Sequence, residues 1–165
     1  MSKKTPTANL SIRWSDPADR DAILQFVRDT GYFCDDEVEI AREVLDDALR
    51  DGPPGDYQSY TALLDGVPVG WVCFGHTPCT IGTYDIYWIA VDARQQGKGF
   101  GKALLLHSEA LIAGLGGRIS VLETSGRALY DSTRGFYLKL GYIEEARLKE
   151  FYAPGDDKVV YTKRL

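Results

Sequence analysis

Three glycines at alternate positions, Gly97, Gly99 and Gly101, separate the apolar run IYWIAV (86–91) from the Leu-rich run that starts at Ala103. The first run has the length of a buried strand and the second that of a helix, so the stretch reads as strand, turn, helix. A helix N-terminus presents amide hydrogens with no intrahelical partner and carries partial positive charge. Removing side chains from its approach lets those amides close on a phosphate. A tight turn alone needs one glycine. Three of them, with Lys98 and Lys102 at the rim, point to an anion cradle.

Two familiar phosphate motifs are excluded by single positions. A dinucleotide fingerprint, G-x-G-x-x-G, starts at Gly97 and Gly99 but meets Lys at 102. A P-loop, G-x-x-x-x-G-K-[ST], would end at Gly101-Lys102 but has Gln at 96 and Ala at 103. What remains is Gln96-x-x-Gly99-x-Gly101.

The rest of the chain punctuates clearly. LSIRW (10–14) reads as a strand. Asp16 as cap and Pro17 at the first helical position open a helix that Gly31 stops. A second, acidic amphipathic helix follows over 36–51 and ends at GPPGD (52–56). Strands on either side of Asp65-Gly66 form a hairpin, and a third covers about 83–92. A helix over 101–115, a strand over 118–125 and a short helix closed by Gly141 come next. Two strands, about 142–152 and 158–164, complete the order β-α-α-β-β-β-α-β-α-β-β. Hairpins combined with helical crossovers predict an α/β fold, a mixed sheet of about seven strands with helices on both faces.

With 165 residues, one domain over 9–165 behind a loose tail at 1–8 is expected. A net charge of -5 gives no electrostatic reason for nucleic-acid binding. No apolar stretch is long enough to span a bilayer, so no membrane association is expected. Cys34, Cys73 and Cys79 are odd in number and form no C-x-x-C pair, which fits reduced thiols. Together with the absence of a signal-peptide pattern in MSKKTPTANL, this predicts a cytoplasmic protein. All three cysteines read as packing residues. Two histidines, His76 and His107, are too few for a structural metal site, and no metal is expected.

The glycine stretch resembles the central motif of the GNAT superfamily of N-acetyltransferases, [RQ]-x-x-G-x-[GA], in the same strand–turn–helix setting. FYLKLGY (136–142) is similar to that family's second marker, and the element order matches over nearly the whole chain. The resemblance implies acetyl-CoA as cosubstrate, its pyrophosphate held by Gln96, Gly97, Lys98, Gly99, Phe100, Gly101 and Lys102. It also implies that the fourth strand splays from the fifth. The backbone of Ile89, Ala90 and Val91 would then pair with the pantetheine arm, an amide near Ile89 facing the oxyanion. Two positions depart from the pattern: Ala93 replaces a frequent proline, and Tyr130 replaces an asparagine seven residues before the motif tyrosine. One cofactor contact is then left to Thr133 or Arg134.

Moving an acyl group from a thioester to an amine requires a neutral amine. At a lysine-like pKa of ~10.4, roughly one amine in 2,500 is neutral at pH 7, a cost of ~4.6 kcal/mol. A base, amide donors for the carbonyl oxygen and an acid for the departing thiolate are therefore useful. By the resemblance Tyr137 is that acid; a core aromatic is the other reading. Asp85 stands where a branch of the family has a glutamate base, and a hydrogen-bonded edge carboxylate is the equal alternative. Glu123, in VLETS, is a second base candidate if part-buried, or a solvent-facing residue if not.

Acceptor specificity in this family lies in two loops, here TGYFCDDE (30–37) and FYAPGDD (151–157). They supply Tyr32, Phe33 and Tyr152, with Asp85 nearby, and several acids that would attract a cation. A small-molecule amine or amino acid is the favoured acceptor. A protein lysine or N-terminal amine is the runner-up, and an acyl-CoA-sensing module without turnover is the alternative outside enzymes. Cys79 shows no histidine partner, so direct attack in a ternary complex is expected rather than an acyl-cysteine. Many members pair through terminal strands, and the resemblance leaves a homodimer open.

Overall fold

The computed structural model describes residues 9–165. The tail expected at 1–8 lies outside them. The elements follow the expected order: β1 (Leu10–Trp14), α1 (Arg20–Asp29), α2 (Asp35–Asp51), β2 (Gln58–Leu64), β3 (Val67–His76), β4 (Thr83–Val91), α3 (Phe100–Gly114), β5 (Ile119–Ser125), α4 (Asp131–Lys139), β6 (Ile143–Ala153) and β7 (Asp156–Arg164). The strands form one seven-stranded mixed sheet in the order β1-β2-β3-β4-β5-β7-β6.

The first helix starts later than its cap suggests. Asp16 and Pro17 open a 3-10 turn over Pro17–Asp19, and α1 begins at Arg20. Asp19 turns inward instead of continuing the helix surface, because it takes a two-pronged pair from Arg13 at 2.7 and 3.0 Å. Burial opposes the Asp19 charge, yet the Arg13 hydrogen bonds and the Asp16 amide outweigh it and hold its carboxyl below the usual range.

β3 shows why the sheet needs helices on both faces. Val72 and Phe74 pack into a core with Leu104, Leu105 and Ile112 of α3, while Trp71 and Cys73 pack against Ile23, Val27 and Leu45 of α1 and α2. Alternate side chains of one strand thus enter two separate cores, which is why the run is apolar throughout. The buried Trp71 indole is satisfied by the Ser59 hydroxyl at 2.8 Å, itself bonded to Ser15 at 2.8 Å. Of the cysteines, only Cys73 packs in the core; Cys34 and Cys79 are exposed, against expectation. Cys34 occupies the cap position of α2, a backbone role that hydropathy does not reveal.

Candidate active site

Every strand contact in the sheet is antiparallel except that of β4 with β5. Those two share only three register pairs, Thr83–Ile119, Tyr84–Ser120 and Asp85–Val121. Beyond them β4 continues to Val91 paired with β3 alone, and β5 continues to Ser125 paired with β7 alone. Among the described residues the facing edges from Ile86 and from Leu122 onward therefore have no strand partner. The divergence coincides with a bulge: Cys73 stands opposite Trp88 and Phe74 opposite Ile86, so Tyr87 is the extra residue. A bulge bends its strand and raises local twist, and β4 leaves β5 at that point.

The wedge opens into a cleft of about 1380 Å³. Its far end is the glycine stretch. Gly97 and Gly99 take positive φ, 76° and 88°, which the absence of a Cβ permits at no steric cost. The first helical bond of α3 runs from the Ala103 amide to the Gly99 carbonyl at 3.0 Å. The amides of Phe100, Gly101 and Lys102 are left without an intrahelical acceptor, and Gly99 offers no side-chain cap. Gly101 differs from the other two. It is helical, and a Cβ there would meet the Phe136 ring at 3.5 Å, an ordinary contact. Gln96 ties the loop to β4 by donating to the Val91 carbonyl at 3.4 Å.

The expected site residues converge. Ile89, Ala90, Val91, Gln96, Gly97, Gly99, Phe100, Gly101 and Lys102 line the cleft, as do Tyr137, Asp85, Glu123, Tyr32, Phe33 and Tyr152. Two are not on its wall. Lys98 donates to the Gln95 side chain at 2.8 Å. The Arg134 guanidinium is mostly buried and donates to the Ser125 and Arg127 carbonyls at 2.7 and 2.9 Å, with Asp131 beside it. It braces the β5–α4 connection.

Asp85 sits at the fork itself, as the last β4 residue paired with β5. Thr77 donates to its Oδ2 at 2.6 Å. Tyr87 stands nearby, its phenol pushed up to about 12 by burial and by the charge of Asp85. Glu123 lies two residues past the fork on the other arm, exposed, with Lys158 Nζ at 2.7 Å from its carboxylate. The solvent-facing alternative for Glu123 is thus the one the structure adopts.

Tyr137 is 5% exposed. Its ring lies between those of Phe136, Tyr142 and Tyr161, at centroid separations of 5.5, 6.1 and 5.9 Å. Burial raises its phenol well above the ordinary value, which makes it a weaker acid than a free tyrosine.

Several lining residues escaped the sequence. Trp88 packs edge-on against Phe33 at 5.0 Å, and Glu37 closes the start of α2 by accepting the Cys34 amide at 2.9 Å. Tyr130 donates to the Tyr32 carbonyl, while Arg127 and Asp156 pair at 3.1 Å. Two of these carried a sequence signal: Tyr130, as a departure from the family pattern, and Asp156, as one of the loop acids expected to attract a cation, a charge that Arg127 takes up instead. Tyr152 completes this wall, its phenol pushed up to about 12 by burial and then by Glu123.

Among the described residues no helix is long and apolar enough to cross a membrane, and no group of His, Cys, Asp or Glu could hold a metal ion. Among curated proteins none matches the chain. A protein from Desulfovibrio desulfuricans assigned to the GNAT family of acetyltransferases is 39% identical, with 94% of this chain and 99% of that one covered and a TM-score of 0.90. The fold is shared more distantly by the ribosomal-protein-S18-alanine N-acetyltransferase of Escherichia coli, at 16% identity, 94% coverage of both chains and a TM-score of 0.75. The PaiA N-acetyltransferase of Thermoplasma acidophilum, solved with coenzyme A, gives 17% identity, 95% and 99% coverage and a TM-score of 0.75. The model of the acetyltransferase (GNAT) family matches residues 20–142, and the chain is therefore an acyltransferase belonging to that family.

Proposed function

We propose that the chain transfers an acetyl group from acetyl-CoA to the neutral primary amine of a small molecule or amino acid, by direct attack with both substrates bound. The observation that carries this reading is the partnerless edge of β4 beyond Asp85, which leads into the free amides at the start of α3. An extended chain bearing amides can add to such an edge as a further strand. A pyrophosphate suits a helix N-terminus whose approach has no side chains. Ile89, Ala90 and Val91 would hold the pantetheine arm, and Gln96 to Lys102 the pyrophosphate. Acetyl-CoA supplies, when bound, an acyl thioester with a thiolate as leaving group.

The protein's share is proton handling and charge placement. Asp85 is the better base candidate: Thr77 fixes one of its oxygens, and among the described residues the other has no protein donor. Glu123 already has its charge matched by Lys158, so it serves as part of the wall. Tyr137 lines the cleft with its phenol protonated and is the candidate acid for the developing thiolate, although burial makes it a weaker acid than a free tyrosine. An amide on the free edge near Ile89 is the candidate donor to the carbonyl oxygen. The wall of Tyr32 tied to Tyr130, completed by Tyr152, favours a small acceptor over a protein segment.

The test is thiol release from acetyl-CoA against amines, amino acids and lysine peptides, with Tyr137→Phe in parallel. Turnover on one acceptor class, reduced ~10²–10³-fold in the variant while acetyl-CoA still binds, is the expected result. Binding without release on any acceptor would favour a sensing role.

A further inference from the structure

At the β5–α4 corner of the cleft, Asp156 is 8% exposed although it carries a carboxylate. The Ser125 hydroxyl donates to its Oδ1, and Arg127 Nε stands 3.1 Å from its Oδ2. The Arg127 backbone amide and Nε also donate to the Ser125 hydroxyl, at 3.1 and 3.3 Å. The guanidinium is thus held from one side, through Nε, and its plane lies over the Tyr130 ring at 5.7 Å. Among the described residues no carboxylate or carbonyl takes a hydrogen bond from its two terminal nitrogens, while the side chain stands close enough to the Tyr130 hydroxyl to offset part of the rise that burial imposes on that phenol. The side chain is 52% exposed and lines the cleft.

An arginine whose Nε bonds the Ser125 hydroxyl and pairs with the buried Asp156 carboxylate is held on its inner side and leaves its outer fork to the cleft. That fork matches a carboxylate, two parallel N–H···O bonds at once. Groups of the opposite charge, Asp85 on β4 and Glu37 on α2, line the same cleft. The cleft therefore offers acids for an ammonium group and Arg127 for a carboxylate, with Tyr32, Tyr130 and Tyr152 among its lining.

We infer that Arg127 recognises a carboxylate of the acceptor, so that the acceptor is an α-amino acid or another amine carrying a carboxylate beside it. The inference rests on the acetyl-transfer reading above. Asp156 and Ser125 are positioning residues for this contact.

The experiment compares each free amino acid with its own amide, phenylalanine against phenylalaninamide and leucine against leucinamide, in wild type and in Arg127→Gln. The amide keeps size and shape but has no carboxylate, and its amine, in the peptide-terminus range of ~7.7–8.0, is neutral more often at pH 7.5 than that of the acid. Chemistry alone therefore favours the amide. Recognition by Arg127 is expected to reverse this, the acid exceeding the amide in kcat/KM by about 10- to 100-fold. Arg127→Gln should lower kcat/KM for the acid at least ~10-fold more than for the amide. The wild-type comparison stands even if the variant fails to fold.

Equal turnover of acid and amide would overturn the inference. So would an Arg127→Gln variant that weakens acetyl-CoA and leaves the acid unaffected, since the anion would then be a cofactor phosphate. Turnover confined to simple amines or lysine peptides would overturn the inference and leave acetyl transfer standing. No thiol release with any amine would remove the acetyl-transfer reading and this one with it.

Discussion

The Tyr130 hydroxyl donates a 2.8 Å hydrogen bond to the backbone carbonyl of Tyr32, 98 positions earlier. Their rings lie 5.3 Å apart. The contact fastens the connection between α1 and α2 to the start of α4, so that two loops make one wall of the cleft. A net hydrogen bond of this kind contributes ~1 kcal/mol. Tyr130→Phe is expected to raise KM for the acceptor about fivefold with KM for acetyl-CoA unchanged. A rise in the acetyl-CoA value instead would mean that Tyr130 has taken over the contact made by the asparagine it replaces.

The glycines should not behave alike. Gly99 has φ of 88°, a conformation costing other residues ~1–2 kcal/mol, whereas Gly101 is helical with room for a methyl. Gly99→Ala is expected to weaken acetyl-CoA binding about tenfold by shifting the amides at the start of α3. Gly101→Ala should bind within about twofold of wild type and gain helix propensity. Calorimetric titration with coenzyme A measures both, and equal losses would sink the distinction.

Asp85 and Thr77 provide a graded pair. Asp85→Asn removes the base and should lower kcat by ~10²–10³. Thr77→Val removes only the hydrogen bond at 2.6 Å and should cost about 5- to 10-fold. Steady-state rates at saturating acetyl-CoA give the ratio, and an undiminished Asp85→Asn rate would move the base to Glu123.

His107, on α3, packs edge-on against Tyr60 at 5.1 Å, and its Nε2 is buried without a hydrogen-bond partner among the described residues. Burial lowers its pKa in the fold. Between that lowered value and the unfolded value of ~6.5 the unfolded chain binds more protons, so this residue's effect on stability is absent above ~6.5 and turns against folding as pH falls through it. Unfolding free energy in urea should therefore decline from pH 7 toward pH 5, and His107→Leu should flatten the decline. An unchanged slope in the variant would clear His107.

Local chemistry carried much of this fold. The hairpin at Asp65-Gly66, the glycine turn before α3 and the stop at Gly141 each depend on neighbours in the chain, and all were legible. What was not legible depends on the sheet order. Lys158 meets Glu123 only because β7 inserts between β5 and β6. Arg134 resembles an exposed helix residue until the Ser125 and Arg127 carbonyls are brought over it. Asp19 is drawn out of its helix by an arginine on β1. Cys34, expected in the core, is held at a helix end by its backbone position. The bulge at Tyr87 has no local signal, since it arises from the register between β3 and β4.

Three parallel rungs between β4 and β5 are the strand pairs that join the β1–β4 part of the sheet to the β5–β7 part. Behind them one core spans both parts, with Val72, Phe74 and Ile86 packed in the same cluster as Leu122, Tyr142 and Tyr161. Beyond Asp85 and Val121 the two arms are spanned by side chains instead, Tyr130 on Tyr32 among them. Substitutions in those spanning contacts, away from the reacting atoms, would then tune how large a molecule the opening admits.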